Sequence, residues 1–304
     1  LHPAAPEEVR NRQAAVRHLG PRRDFCEELQ LRGRLWTSAG QGPTAFLEWA
    51  EGVPWLGGRP RIGAFVRLLT LAFVATPFTV LLGVPPAACL ALLAALLAIN
   101  IVVNIAWGPA VHRVFNIVAS RQRDVEQYAS LLTLFHQLPA EGTKFNELRG
   151  LLGRDIDEPL RHLRQLSRRV AWAAARHSPL WGIPYLLCQG TLLCDFHLLS
   201  WIEAWQRQHG KETRRWVLAL AELEALAALA TIAHDQPTWT FPRVEAAHLE
   251  FQATALGHPL LRNASRVTND VRIGPRGTFL LVSGSNMSGK STLLRSVGVN
   301  VLLA

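Results

Sequence analysis

The chain has 304 residues, of which 49% are hydrophobic, so it has enough apolar material for a sizeable core in about two domains. Its formal net charge is +9, which suits either nucleic acid or an anionic membrane surface as a partner. The four cysteines, Cys26, Cys89, Cys188 and Cys194, lack C-x-x-C spacing, so we expect reduced, packed thiols of an intracellular protein and exclude a zinc site or a disulfide framework.

The first predicted domain, residues 1–60, is expected to be helical at its start and irregular after that. Apolar residues have helical spacing over residues 7–19 and 24–31. Aromatic residues follow at 46–49 and 53–55. They fit an approach to a membrane surface and ordinary packing equally well.

Residues 61–113 are predicted to form a transmembrane helical hairpin. No formally charged residue lies between Arg67 and Arg113, and two apolar segments, 68–84 and 87–107, fill this interval. Their lengths suit the roughly 20 apolar residues that a membrane span requires. The hairpin would make this a multi-pass membrane protein with two spanning helices.

The turn and the flanks of this hairpin predict its orientation. Residues 83–86, Gly-Val-Pro-Pro, indicate a turn. A hairpin buried in a soluble core is the alternative, but residues 90–99 lack the polar stripe that a soluble helix shows. By the positive-inside tendency, basic flanks keep both ends and the soluble domains in the cytoplasm. The flanking arginines are Arg59, Arg61, Arg67, Arg113, Arg121 and Arg123.

A third uncharged stretch covers residues 178–194 and ends at Asp195. Gly182 and Pro184 interrupt it. We interpret it as a buried helical segment of the cytosolic domain, with a membrane segment as the alternative.

Residues 114–250 are predicted to form a helical core. One long amphipathic helix is expected over residues 117–138, followed by helices at 145–152, 158–176, 196–207 and 212–234. A basic stripe on the helix predicted at 158–176 fits a solvated face, with contact to DNA phosphates or to lipid headgroups as alternatives. The apolar face of the long helix holds Val118, Val125, Tyr128, Leu131, Leu132 and Phe135, and the basic stripe holds Arg161, Arg164 and Arg168.

Near the end of the chain, residues 284–291 match the phosphate-binding pattern G-x-x-x-x-G-K-[ST]. Residues 278–282 before them are predicted to be a buried strand, and residues 292–297 after them to begin a helix. The motif needs this order, because the loop N–H groups and the helix N-terminus then face phosphate oxygens. Lys290 should reach the β- and γ-phosphates, and the Ser291 hydroxyl should bind the Mg²⁺ of the nucleotide.

ATP and Mg²⁺ are therefore the expected cofactors, and no further metal site is predicted. The predicted nucleotide-binding residues are Gly284, Ser285, Asn286, Met287, Ser288, Gly289, Lys290, Ser291 and Thr292.

Several segments carry a family resemblance. The Ser-Asn-Met-Ser sequence at 285–288 resembles the Asn-Met-rich phosphate loop of the MutS family, the DNA mismatch repair ATPases. Gly-His-Pro-Leu-Leu at 257–261 resembles the start of that family's ATPase domain, and 267–270 is similar to its Val-Pro-Asn-Asp segment with Thr268 in place of Pro. Residues 216–226 are similar to a family helix with Glu-Ala-Leu. The resemblance extends loosely over residues 121–304.

The resemblance implies an ATPase that dimerises and couples its nucleotide state to a DNA-binding clamp. The expected fold is mainly α: a transmembrane helical hairpin plus a MutS-like helical core, followed by the truncated start of an α/β P-loop NTPase domain at 251–304. Soluble members of the family lack such a hairpin, so a membrane-anchored subfamily is indicated. The resemblance also implies that Asn269 and Asp270 approach the nucleotide base.

The ends of the sequence favour a C-terminally truncated fragment of a longer protein. The chain opens at Leu1, and its single methionine is Met287. It ends one short helix after the loop, before any acidic strand end that could hold Mg²⁺ and water for hydrolysis. We expect the longer protein to be an ATPase and a homodimer, and this fragment not to be competent for hydrolysis.

The leading hypothesis is thus a membrane-anchored, ATP-binding MutS-family protein with double-stranded DNA as a possible partner. One alternative is a membrane-associated P-loop ATPase switch with no role in mismatch repair. The other is a truncated product without function. The Phe-x-Glu mismatch-reading domain of the repair proteins is not visible in this sequence.

Overall fold

The computed structural model describes residues 4–37, 43–120, 122–139, 141–153, 157–175, 182–245, 250–285 and 288–303. It is 74% helix and 4% strand, which confirms the prediction of a mainly α protein. The elements in chain order are α1 (Pro6–Leu19), α2 (Arg23–Thr37), α3 (Pro43–Glu51), α4 (Pro60–Ala75), a 3₁₀ helix (Thr76–Leu82), α5 (Pro86–Ser120), α6 (Gln122–Gln137), α7 (Thr143–Leu152), α8 (Asp157–Ala175), α9 (Gly182–Leu192), α10 (Cys194–Asp235), β1 (Phe251–Leu256), β2 (Asn269–Ile273) and α11 (Lys290–Leu303).

The chain divides into two compact units. The first comprises Leu1–Cys26, Glu141–Phe145 and Ala225–Ala304, and the second comprises Glu27–Ala140 and Asn146–Glu224.

In the second unit, α4, the 3₁₀ helix and α5 form a helical hairpin. Pro77 lies in the first turn of the 3₁₀ helix, where its missing N–H and fixed φ end the α-helical ladder of α4. The 3₁₀ helix closes at Gly83, whose φ of +88° is a left-handed conformation that glycine adopts without steric cost. The predicted turn between the two apolar segments is therefore present.

The hairpin presents an apolar surface. Within the described part of the chain, three helical segments are long and apolar enough to cross a membrane by length and composition: Pro60–Leu82, Pro86–Val118 and Cys194–Asp235. The first two are largely exposed, whereas the third is the most buried of the three. The exposed large apolar side chains of the hairpin include Phe65, Leu68, Leu71, Val74, Phe78, Val80, Leu81, Leu82, Leu90, Leu92, Leu97, Ile99, Ile101, Val102 and Ile105.

The helical core of the second unit packs α6 against α8. All six residues predicted for the apolar face of the long helix are buried, between 0% and 3% exposed. The single helix predicted over residues 117–138 is wrong, however: Val118 lies on α5, which ends at Ser120, and the other five lie on α6. Phe46 is fully buried and lies against Trp49 and Tyr128. Its aromatic segment therefore serves packing.

Glu203 on α10 connects this core to the start of the hairpin. Its carboxylate is 1% exposed and accepts the backbone N–H groups of Leu56, at 2.8 Å, and Gly57, at 2.7 Å. Bonds from N–H groups to a buried carboxylate stabilise more than neutral ones, at about 1.5–3 kcal/mol each. They hold the chain just before α4.

In the first unit, β1 and β2 form an antiparallel pair, with Phe251 opposite Ile273 and Leu256 opposite Asn269. The register shifts between Ala253 and Leu256. There, Ala255 has a φ of +53°, and its N–H donates to Asp270 Oδ1 at 2.8 Å. Lys144, 4% exposed at its side chain, donates to Glu8 at 2.7 Å in the same unit.

Four further sequence-based expectations need correction. Cys188 and Cys194 form a disulfide with a Cα–Cα distance of 6.0 Å, because the break between α9 and α10 at Leu193 turns the two residues toward each other. Only Cys26 and Cys89 match the expected packed thiols. Residues 196–234, predicted as two helices, belong to the single helix α10.

The other two corrections concern burial. Residues 278–282 form no strand in the described structure, and Phe279 is 84% exposed. A strand needs a hydrogen-bonded neighbour, and in the described residues the sheet consists of β1 and β2, neither of which pairs with residues 278–282. The described part of the uncharged stretch 178–194 is helical, as expected, but it is not buried, since Ile183 is 75% exposed.

Candidate nucleotide-binding site

The glycine-rich loop precedes α11, which begins at Lys290. Of the predicted nucleotide-binding residues, Asn286 and Met287 lie outside the described part of the chain. The other seven lie in the loop or in the first turn of α11. The predicted order of loop and helix is therefore present, without the predicted strand before it.

Gly289 forms the junction of loop and helix. Its φ of +83° is a left-handed conformation that a side chain would disfavour. Its carbonyl oxygen accepts the N–H of Leu293 at 2.9 Å, the bond that starts the helical ladder. The remaining N–H groups of the first turn have no partner inside the helix by geometry, and the helix dipole adds positive potential there. This end of α11 suits an anion.

Lys290 folds back over the loop. Its ammonium group donates to the carbonyl oxygen of Gly284 and to that of Ser285, the latter at 2.8 Å. The lysine side chain thus lies at the loop backbone. Three donors on a flexible stem allow it to exchange these carbonyl oxygens for phosphate oxygens.

The inside of the loop is tight. A Cβ on Gly284 would lie 2.9 Å from Ser288 Oγ, closer than real side chains approach. Ser291 and Thr292 are exposed in the first turn of α11, so their hydroxyls are accessible to a metal-bound phosphate. These residues fit a magnesium nucleotide, because glycines admit close phosphate approach and a serine hydroxyl is a hard oxygen ligand.

Asn300, which the sequence analysis missed, joins α11 to the segment at 257–261. Its side-chain amide donates to the Gly257 carbonyl at 3.0 Å and to the Ser296 carbonyl at 2.8 Å. It lies nine residues beyond the motif, and only the helical repeat of α11 could have indicated it. Two segments singled out by sequence are therefore in direct contact.

Asn269 and Asp270 have a structural place at the start of β2. The Asp270 carboxylate accepts the Ala255 N–H in the β1 bulge. Among the described residues, no group of three or more His, Cys, Asp or Glu side chains could hold a metal ion.

Comparison with known proteins finds relatives over part of the chain. The DNA mismatch repair protein MSH6 of Arabidopsis thaliana is 38% identical over 109 residues, which cover 32% of this chain and 8% of that protein. The DNA mismatch repair protein MutS of Chlorobaculum parvum is 38% identical over 91 residues, and MutS 1 of Halobacterium salinarum is 43% identical over 88. Each of these two alignments covers 28% of this chain and 10% of the relative.

No family model and no solved structure matches the chain. The curated relatives nevertheless agree with one another. Over about 30% of its length, this chain is related to the MutS family of DNA mismatch repair proteins, as its phosphate-binding motif predicts. The chain spans about a tenth of the length of the relatives it matches.

Proposed function

We propose that this is an ATP-binding protein of the MutS type, anchored in a membrane, and that residues 284–292 hold the nucleotide phosphates. The observation that carries nucleotide binding is the position of Lys290, with its ammonium group on the loop carbonyls at the N-terminal end of α11. The N–H groups of the first turn, the positive end of the helix dipole and the Lys290 ammonium group then lie at the same end of α11. Phosphate groups are the ligands that this combination recognises.

Each residue has a role in holding the nucleotide. Lys290 would leave the carbonyl oxygens of Gly284 and Ser285 and bind the β- and γ-phosphates. Ser291 would contribute its hydroxyl to Mg²⁺, and Gly289 would let the backbone approach. The metal ion neutralises phosphate charge when it is bound.

The first test is a titration of the purified protein in detergent with a fluorescent ATP analogue and Mg²⁺. Lys290→Ala should weaken binding at least tenfold, which corresponds to about 1.4 kcal/mol. Lys211→Ala, which removes an exposed lysine from α10, is the matched control and should bind normally. Unchanged binding by Lys290→Ala, or an equal loss in both variants, would contradict the proposal.

DNA is the proposed partner because the relatives are named DNA mismatch repair proteins. The test is ATP hydrolysis by the complete protein, which we expect to act as a homodimer, with matched and with mismatched duplexes. Hydrolysis that depends on Lys290 and responds to a mismatch would support repair. Lys290-dependent hydrolysis that ignores DNA would favour the second candidate, a membrane-bound ATPase switch without a repair role.

The exposed apolar hairpin supports membrane anchoring. Membrane anchoring is also part of the second candidate function, the membrane-bound ATPase switch. Large apolar side chains gain about 1.5–3 kcal/mol each when they leave water, and a soluble surface rarely presents so many together. Hydrocarbon is the environment that these side chains match. On this proposal, the turn at Gly83 crosses the membrane, and both arginine-rich flanks remain in the cytoplasm.

A further inference from the structure

Helix α9 is a short apolar helix attached to the hairpin. It packs against α4 and α5, yet its outer face is exposed, with Leu186 at 68% and Leu187 at 64%. Its 11 residues correspond to about 16 Å at 1.5 Å per residue. That is about half of the roughly 30 Å hydrocarbon core, so α9 is too short to cross it.

The C-terminal end of α9 is bonded entirely to protein. The last four carbonyl groups of a helix have no partner within the helix. In α9 they all accept side-chain donors from the hairpin: Gln189 from Asn104 at 3.4 Å, Gly190 and Thr191 from Asn100 at 3.0 and 2.9 Å, and Leu192 from Thr70 at 3.1 Å. In water, solvent would satisfy these groups. In hydrocarbon, they require a protein partner.

These hydrogen bonds explain why Asn100 and Asn104 occur in the otherwise apolar helix α5. Asn100 is fully buried although it lies in the second predicted span. Its distance from Pro86 along α5 is about 21 Å at 1.5 Å per residue, which places it inside a core of about 30 Å measured from the turn. The end of α9 therefore docks at a depth within the lipid, on the side of the arginine flanks.

After α9, the chain passes a cluster of polar side chains around Asp195, which we call the polar exit. Asp195, the first charged residue after the uncharged stretch, has a side chain that is 4% exposed. Its carboxylate accepts the Tyr185 hydroxyl at 2.6 Å, and its N–H donates to the Gln189 side chain at 2.8 Å. His112 lies 3.8 Å from the same carboxylate. Charged groups near hydrocarbon require partners of this kind.

Two tryptophans are exposed on the helices of this unit, and one of them, Trp201, follows Asp195 by six residues along α10. Trp201 on α10 and Trp172 on α8 line one cleft with Arg168 and Arg169, and Arg169 donates to the Trp201 carbonyl at 2.7 Å. Tryptophan and arginine together are typical of the boundary between lipid and water. The cleft fits the headgroup level, below which α9 would lie in acyl chains.

We propose that α9 is a re-entrant membrane helix, which enters the lipid from the cytoplasmic side, docks its C-terminal end on the hairpin and leaves on the same side. Lipid acyl chains occupy its exposed face of Ile183, Leu186 and Leu187. This inference rests on the proposed membrane anchoring. It adds a third lipid-embedded element to the hairpin.

The test reconstitutes the full chain in phosphatidylcholine nanodiscs with and without a lipid that carries a doxyl quencher in its acyl chain. A fluorophore is attached in turn at Leu186→Cys on α9, Val102→Cys on α5 and Lys211→Cys on α10. We expect quenching at positions 186 and 102 but not at 211. Quenching at 102 without quenching at 186 overturns the re-entrant helix and leaves the anchoring intact.

Two further outcomes are distinguishable. Absence of quenching at both 102 and 186 overturns the anchoring and α9 insertion together. If a second copy of the chain covered position 186 instead of lipid, the fluorophore there would stay unquenched and its emission would depend on protein concentration. That outcome also overturns the proposal. Asn100→Leu should abolish quenching at 186 while 102 stays quenched, whereas Asn116→Leu, an exposed asparagine on the same helix, should change neither. Circular dichroism confirms that both variants are folded.

Discussion

His209 on α10 shows how burial sets the protonation of a single side chain. Its ring stacks on that of His162 with the centroids 3.7 Å apart, and it lies near Trp205 and Trp216. Burial lowers the pKa of His209, and the neighbouring His162 lowers it further, while Glu212 and Glu158 act in the opposite direction. The neutral imidazole is therefore the form that the folded core prefers.

This preference predicts a pH dependence of stability. Below the ordinary histidine pKa of 6.5, the unfolded chain binds a proton that folded His209 resists, so stability is lost as pH falls toward the lowered pKa. His209→Phe should keep the stacking and reduce the fall in thermal midpoint between about pH 7.5 and about pH 5.5. Circular dichroism melts measure it, with the exposed His234→Gln as the control. An unchanged slope for His209→Phe would contradict the assignment.

At the element scale, the close contact of α3 and α10 depends on a missing side chain. A Cβ on Gly210 would overlap the Ala50 carbonyl oxygen and lie 3.0 Å from its carbonyl carbon. The Ala50 backbone therefore lies directly against α10. Gln206, one turn earlier, donates to the carbonyls of Trp49, at 2.6 Å, and Gly52, at 3.0 Å.

Gly210→Ala should therefore lower the free energy of unfolding by about 1–3 kcal/mol, the usual cost of overpacking. Gly150→Ala is the matched control, because Gly150 lies on α7 with no atom within 4 Å of an added Cβ. That change should raise stability by up to about 1 kcal/mol through helix propensity alone. Chemical denaturation gives both values. Equal effects of the two substitutions would refute the packing argument.

Gly210 also shows what the sequence could and could not predict. The apolar spacing around Tyr128 located the core face of α6 correctly, because that signal is local and periodic. The same reasoning predicted separate helices at 196–207 and 212–234, where the structure has the single helix α10. Packing against Ala50 is a long-range cause, and it keeps α10 continuous across Gly210.

In the candidate site, too, the locally encoded features were predictable and those that depend on long-range contacts were not. The position of Lys290 and the start of α11 were predictable, because the motif encodes a local turn and helix. The strand expected at 278–282 depends on neighbouring strands rather than on its own apolar residues, and in the described residues neither β1 nor β2 pairs with it. The Asn300 contact with Gly257 and the Cys188–Cys194 disulfide likewise depend on distances that no short pattern specifies.

At the scale of the whole molecule, the proposed topology places the turn of the hairpin on the opposite side of the membrane from the rest of the chain. Arg67 and Arg113 bracket the uncharged interval, and basic flanks are retained in the cytoplasm. The native cysteines do not interfere with labelling, because Cys26 and Cys89 are buried and the other two are paired.

Cysteine labelling in intact cells tests this topology. A membrane-impermeant maleimide should label Val84→Cys, at the turn, from outside. Glu7→Cys, which is exposed on α1, should react only after lysis. Labelling of both variants only after lysis would mean that the hairpin does not cross, and the anchoring proposal would fail.

The uncharged hairpin has a practical consequence for mapping this protein with proteases. Trypsin cleaves after lysine and arginine, and the sequence offers it no site between Arg67 and Arg113. Trypsin would leave that interval as one hydrophobic peptide whether or not lipid shields it. Trypsin resistance is therefore uninformative here, whereas chymotrypsin, which can cut at Phe78 and Trp107, would distinguish a shielded hairpin from one open to solvent.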